Sequence, residues 1–171
     1  MVNGQVRLRI AGIVRESVVD GPGLRYVIFA QGCPHRCPGC HNPETWDPAG
    51  GYDVTVDEIV ADVERNPLTR GVTFSGGEPF SQAAAFASLG RLLKDKGYDI
   101  VTYTGYTYEQ LRAKGEEAVQ DLLEMTDILI DGPFILAERD ITLPFRGSRN
   151  QRIIDVRASK TTEAPVAILH L

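Results

Sequence analysis

The sequence predicts an α/β fold: an incomplete, open (β/α) barrel of about five or six mostly parallel strands, formed by a single domain over residues 1–171. Three observations predict it. Short β-branched and aromatic runs alternate with amphipathic stretches, the pattern that joins parallel strands through right-handed crossovers. The chain has 171 residues, whereas a closed eight-fold barrel typically needs about 250. The residues that carry chemistry follow directly after strands, at the end where such folds build their sites.

The elements follow in order. Arg7 to Val14 and Arg25 to Ala30 read as strands. Thr55 to Arg65 reads as a helix: Thr55 is placed as N-cap with Glu58 three residues on, and Ile59, Val60 and Val63 form an apolar face. Gly71 to Phe74 is a short strand ending in Ser75-Gly76-Gly77, and Ser81 caps a helix that runs to Lys96 and stops at Gly97. Asp99 to Tyr103 is a strand. Helices follow from about Thr107 to Lys114 and from about Glu116 to Met125. Asp127 to Ile130 and Arg152 to Val156 are strands, and Val166 to Leu169 is a candidate edge strand. No repeat, linker or low-complexity segment interrupts the series.

Composition narrows the function. Hydrophobic residues make up 43% and charged residues 24%, enough apolar material for a real core. The net charge is −5 with no block of Lys or Arg, which argues against nucleic acid as a partner. No apolar run approaches the roughly 20 residues that cross a bilayer. The start, Met1 to Arg7, lacks the basic-then-apolar layout of a leader. A cytoplasmic protein with no membrane partner is expected.

The chain contains three cysteines, Cys33, Cys37 and Cys40, all in one loop after the strand Arg25 to Ala30. An odd, clustered set does not make a disulfide framework, and in a cytosolic chain it points to a metal. The spacing is C-x3-C-x2-C, with Gly32, Gly39 and prolines that let the loop wrap a compact object. Three thiolates can hold three irons of a [4Fe–4S] cluster and leave the fourth open for a ligand. The alternative at this stage is zinc in a Cys3His set with His35 or His41 as fourth ligand.

A second signature, Gly76-Gly77-Glu78-Pro79, ends a later strand. Two glycines there permit close backbone approach, and Glu78 offers a carboxylate or a backbone edge suited to an ammonium group. On a parallel sheet both signatures face one cavity.

These two motifs, with Ser17 to Arg25, Asp131-Gly132-Pro133-Phe134 and Phe145 to Arg152, resemble the radical S-adenosylmethionine activases that install glycyl radicals, and among them the activators of anaerobic ribonucleoside-triphosphate reductase. The resemblance implies that Cys33, Cys37 and Cys40 hold one [4Fe–4S] cluster. It implies that Gly39, Cys40 and His41 lie against S-adenosylmethionine, that Gly76, Gly77 and Glu78 hold its methionyl amine, and that Thr104 and Asp131 line the same cavity. It implies an external one-electron donor such as a flavodoxin. The partner is then a glycyl-radical enzyme, the anaerobic ribonucleotide reductase. Alternatives are an activase of another such enzyme, for example pyruvate formate-lyase, a radical enzyme acting on a small molecule, or a zinc-stabilised binding module. The sequence departs from the broader superfamily at Gly39, where an aromatic residue usually precedes the third cysteine.

Other residues carry weaker signals. Asp20-Gly21-Pro22-Gly23 is a turn, beside the cavity mouth if the resemblance holds. Arg25 is expected to pair with Asp20 or to meet the partner, and Trp46 to pack in the core beneath the cysteine loop, with cofactor contact as the alternative. Tyr103, Tyr106 and Tyr108 are assigned to packing. Arg146, Arg149 and Arg152 form either a solvated face or a docking patch.

Overall fold

The structure, a computed structural model, describes residues 5–170. Met1 to Gly4, read above for the absence of a leader, and Leu171 lie outside them. The strands are β1 (Arg7–Ser17), β2 (Arg25–Ala30), β3 (Tyr52–Thr55), β4 (Gly71–Gly76), β5 (Asp99–Tyr103), β6 (Ile128–Asp131), β7 (Arg152–Asp155) and β8 (Val166–Ala167). The helices are α1 (Val56–Glu64), α2 (Ala83–Asp95), α3 (Tyr108–Ala113), α4 (Glu117–Met125) and α5 (Val156–Ser159).

The strands form one eight-stranded sheet in the order β3-β1-β2-β4-β5-β6-β7-β8. Its centre, β2-β4-β5-β6, is parallel. The outer pairings, β1 with β2 and β3, β6 with β7, and β7 with β8, are antiparallel. The expectation of five or six mostly parallel strands is therefore corrected. Two short strands raise the number, and both flanks of the sheet reverse direction. The physical reason is connection length and content. A parallel partner needs a crossover of a dozen or more residues, usually helical, and α1, α2 and the α3–α4 pair supply these. Between β6 and β7 the chain has one single-turn 3-10 helix, Leu136–Glu138, and no α-helix, so β7 returns antiparallel.

Period-two alternation sorts each central strand into two faces. Tyr26, Ile28, Ala30, Val72, Phe74 and Ile100 join the main core with Ile59, Val63, Phe86, Leu89, Leu93 and Leu122 of the helices. On the opposite face Val101, Ile130 and Ile153 form a small second cluster, with Tyr103 and Phe145 packed against it. Arg25 and Thr73 share that second face at the lower end of the sheet. The Arg25 guanidinium is fully buried, donates to Thr73 Oγ1 at 2.7 Å and to the carbonyls of Pro22 and Val72, and is ion-paired with the Asp99 carboxylate 2.6 Å away. Burial lowers its pKa, and Asp99 works against that shift. Arg25 thus closes the floor of the sheet and does not pair with Asp20, whose side chain accepts from Ser17 instead.

The capping box at Thr55 and Glu58 is present, with both reciprocal hydrogen bonds, and Thr107 with Gln110 makes another. Ser81 does not cap α2. It lies within a 3-10 turn, Pro79–Gln82, whose first free amide, Phe80 N–H, is taken by the Glu78 carboxylate.

Candidate functional site

The upper half of the helix-free face opens into a cavity of about 680 Å³ at the C-terminal ends of the parallel strands. The loop after β2 brings Cys33, Cys37, Cys40 and His41 to its wall; β4 brings Ser75, Gly76 and Gly77; β5 brings Tyr103 and Thr104. All three thiols are free and half-buried. Burial pushes the Cys33 thiol up, and the backbone around His35 and Arg36 opposes that rise. A cation bound there has to draw the proton off, as thiolate ligation always does.

The two signatures are stitched together by backbone. Gly77 N–H donates to Ala30 C=O and Glu78 N–H to Gly32 C=O, each at 2.8 Å. This closeness is why 76 and 77 are glycines. A Cβ on Gly76 would stand 2.5 Å from the Ala30 amide nitrogen, and one on Gly77 would overlap the Gly32 carbonyl.

The Glu78 side chain turns beneath the cavity, which leaves its backbone edge as the part that could meet an ammonium group. The residue is fully buried and does not reach the cavity wall. Its carboxylate accepts from Phe80 N–H at 3.0 Å, Thr104 Oγ1 at 2.9 Å, Gly105 N–H at 2.9 Å and His35 Nε2 at 2.7 Å. Four donors leave it little capacity for a ligand.

Asp131 is displaced from its expected place. It is buried, and its carboxylate accepts from Tyr108 N–H and is paired with Arg152, which continues to Glu109. The neighbouring Gly132 is the residue that lines the cavity. The expectation that Asp131 lines it is corrected, because the α3 amide and Arg152 claim its oxygens first. Arg152 accordingly belongs to this ion-pair chain rather than to a free basic patch. Gly39 is off the wall too, at φ +78°; a side chain there would meet Leu136 and Phe134 from the β6–β7 connection.

Trp46 lines the cavity instead of packing in the core. Its indole N–H has no protein partner among the described residues. Tyr103 donates to the Phe145 carbonyl at 2.7 Å, Tyr106 packs edge-on against His35, and Tyr108 is buried. Val18, Val19, Asp20 and Ile141 also line the cavity, and the two valines and Ile141 are largely exposed. The segment containing Ile141 had no signal in the sequence, since a connection of 20 residues with only a single 3-10 turn has no period to read.

Among the described residues, no three His, Cys, Asp or Glu side chains stand close enough together to hold a single metal ion. Around one tetrahedral zinc, sulfurs 2.3 Å from the metal would sit about 3.8 Å apart. His35 is committed to Glu78 and His41 lies beside Phe134, ring centroids 5.2 Å apart. The three thiols line one cavity, and the chemistry of this donor set suits an iron–sulfur cluster.

Comparison with known proteins defines the class. Residues 19–154 match the family model described as a 4Fe–4S single cluster domain, which spans both signatures. The anaerobic ribonucleoside-triphosphate reductase-activating protein of Vibrio cholerae serotype O1 is 39% identical over 144 residues, covering 80% of this chain and 90% of that one. The pyruvate formate-lyase-activating enzyme of Clostridium pasteurianum is 36% identical over 128 residues, covering 71% of this chain and 50% of that one. A solved structure, QueE from Escherichia coli, aligns with a TM-score of 0.48 at 21% identity over 61% of this chain and 56% of that one. The chain belongs to the family of anaerobic ribonucleoside-triphosphate reductase-activating proteins. Among the described residues no helix is long and apolar enough to cross a membrane.

Proposed function

We propose that this chain is a radical S-adenosylmethionine activase that generates a glycyl radical on an anaerobic ribonucleotide reductase. The observation that carries this function is convergence: three cysteine thiols and the Gly76–Gly77 edge meet in one cavity at the C-terminal strand ends. Family membership supports it. Coverage favours the reductase activators over the pyruvate formate-lyase type, since 90% of the Vibrio protein is matched against 50% of the Clostridium enzyme.

In this function Cys33, Cys37 and Cys40 hold one [4Fe–4S] cluster, and the cofactor lies against Cys40, His41, Gly76 and Gly77. A cluster held by Cys33, Cys37 and Cys40 would supply the one-electron reduction of S-adenosylmethionine that leads to hydrogen-atom removal from a glycine Cα of the partner. The protein's own residues orient and exclude. Gly76 and Gly77 bring bare backbone to the cofactor. Thr104 has its hydroxyl turned to Glu78 and presents the rest of its side chain to the cavity. Val18, Val19 and Ile141 line the cavity with exposed apolar surface that sheds water when a partner segment enters. An external one-electron donor such as a flavodoxin is part of the same proposal, as are an incomplete-barrel curvature of the sheet, a single domain over the whole chain and a cytoplasmic setting.

The test is anaerobic reconstitution with iron and sulfide, then incubation with the reductase, S-adenosylmethionine and a reductant. A glycyl doublet in electron paramagnetic resonance is expected. Cys37→Ala should lose both the cluster and 5′-deoxyadenosine production while keeping the wild-type circular dichroism. Continued 5′-deoxyadenosine formation by that variant, or stoichiometric zinc in the active protein, rejects the function.

A further inference from the structure

Between Cys33 and Cys37 the loop sends one side chain inward. His35 reaches from the loop after β2 to the buried Glu78 after β4, its Nε2 donating to Oε2 at 2.7 Å. The side chain is 16% exposed, and its surroundings form a socket. Tyr106 packs edge-on against the ring, with centroids 4.5 Å apart and planes at 77°. Gly105 supplies a wall, and any Cβ at 105 would overlap the imidazole. The socket floor is Glu78, itself held by Thr104 Oγ1 and by the amides of Phe80 and Gly105. One carboxylate therefore ties together the loop after β2, the turn after β4 and the loop after β5.

Beyond this bond the cysteine loop is held by backbone hydrogen bonds and by contacts of Arg36 with Trp46 and of His41 with Phe134. Its two ends are pinned by backbone, Gly32 N–H to Thr45 C=O and Cys33 N–H to Trp46 C=O. From 34 to 39, the His35–Glu78 bond is the sole side-chain hydrogen bond among the described residues. A hydrogen bond to a buried carboxylate is stronger than one between neutral groups.

We propose that His35 and Glu78 form a latch that seats the cysteine loop against the ends of β4 and β5. Glu78 is then a positioning residue. It acts through His35 on the spacing of the three thiols and leaves cofactor contact to the cavity-facing Gly76 and Gly77. Its place in the Gly-Gly-Glu series follows from chain geometry. The residue after two cavity-lining glycines turns inward under the loop, where a carboxylate can collect donors from three segments at once. The latch exists in the metal-free chain. Only its effect on cluster and cofactor rests on the function proposed above.

The test uses His35→Ala and His35→Gln, because removing the buried Glu78 risks the fold. In the metal-free full chain, exchange of the hydrogen-bonded Cys33 and Cys40 amides should quicken about tenfold or more in His35→Ala, the size set by loss of one hydrogen bond to a carboxylate. Exchange in β2 and β4 should stay unchanged. In reconstituted protein, His35→Ala should release iron to a chelator faster. It should also need about tenfold more S-adenosylmethionine to shift the electron paramagnetic resonance of the reduced cluster. His35→Gln, whose amide can donate to the same carboxylate oxygen, should recover most of each loss. Exchange in His35→Ala within about twofold of wild type, or equal losses in the Gln and Ala variants, overturns the latch. If wild type itself takes up no cluster, the proposed function falls, and the exchange comparison still decides the latch.

Discussion

Gly76 sits at φ +95°, and the nearest atom to a Cβ built there is the Ala30 amide nitrogen, 2.5 Å away. Both backbone conformation and space exclude a side chain, which is more than a generic turn demands. Gly76→Ala should cost about 1–3 kcal/mol, read as a lower urea midpoint with an unchanged m-value. It should also loosen the Gly77–Ala30 and Glu78–Gly32 bonds that join the two signatures. An unaltered midpoint would mean that the strand ends move apart freely, and the stitched geometry would then have no energetic weight. At this scale the sequence exposed half of the site. The need for glycine at 76 and 77 was legible, because backbone proximity is written in consecutive residues. The direction of Glu78 was not. Its partner His35 lies 43 positions away, and no local pattern says that a carboxylate following two glycines turns under a neighbouring loop. Asp131 was illegible for the same reason, since Arg152 finds it only once β7 is paired with β6.

Elements with strong periodicity were read closely: β2 and β5 match residue for residue, and α1 starts at its capping box. β3 was missed because Tyr52–Thr55 is four residues long and carries Asp53, so it has too little apolar alternation to register; its partner β1 makes it a strand. The direction of β7 was likewise a matter of what joins it to β6, not of its own residues. One tie holds α3 to this antiparallel end. Arg152 on β7 makes two hydrogen bonds to Glu109 on α3, at 2.7 and 3.0 Å, while also gripping Asp131. The Arg152 hydrogen bonds hold Glu109 below the ordinary glutamate value of 4.5, against a smaller opposing effect of burial. The unfolded chain therefore takes up a proton before the folded one does. The stabilisation is complete above the unfolded value and is lost as pH falls through the folded value. Because Glu109 is more than half exposed, water and salt screen the pair and the effect is small. Glu109→Gln should lower the urea midpoint slightly at neutral pH, and the gap to wild type should narrow as pH drops from about 6 to about 3. A gap that widened on acidification would reverse the assigned sign.

At the scale of the whole molecule, the metal-binding loop and the core are separate. None of the three cysteines belongs to the main core, which joins the sheet to α1, α2 and α4 on the face away from the cavity. Arg25 and its partners seal the lower part of the other face without help from the loop. A zinc-finger-like module behaves differently: metal binding supplies its folding free energy, and chelation unfolds it. Here the apolar core is assembled by strands and helices whose contacts do not pass through Cys33, Cys37 or Cys40. The metal-free chain should therefore keep its far-ultraviolet circular dichroism and melt in one cooperative transition. Fast hydrogen exchange should be confined to the segment around residues 33–46 and to the long β6–β7 connection. Restoring the cluster should raise the melting temperature through mass action alone, with slower exchange in the loop and little change in β2, β4 and β5. A chelator that collapsed the whole dichroism spectrum would place the metal in a structural role, and an open catalytic corner would then be the wrong description of those three thiols.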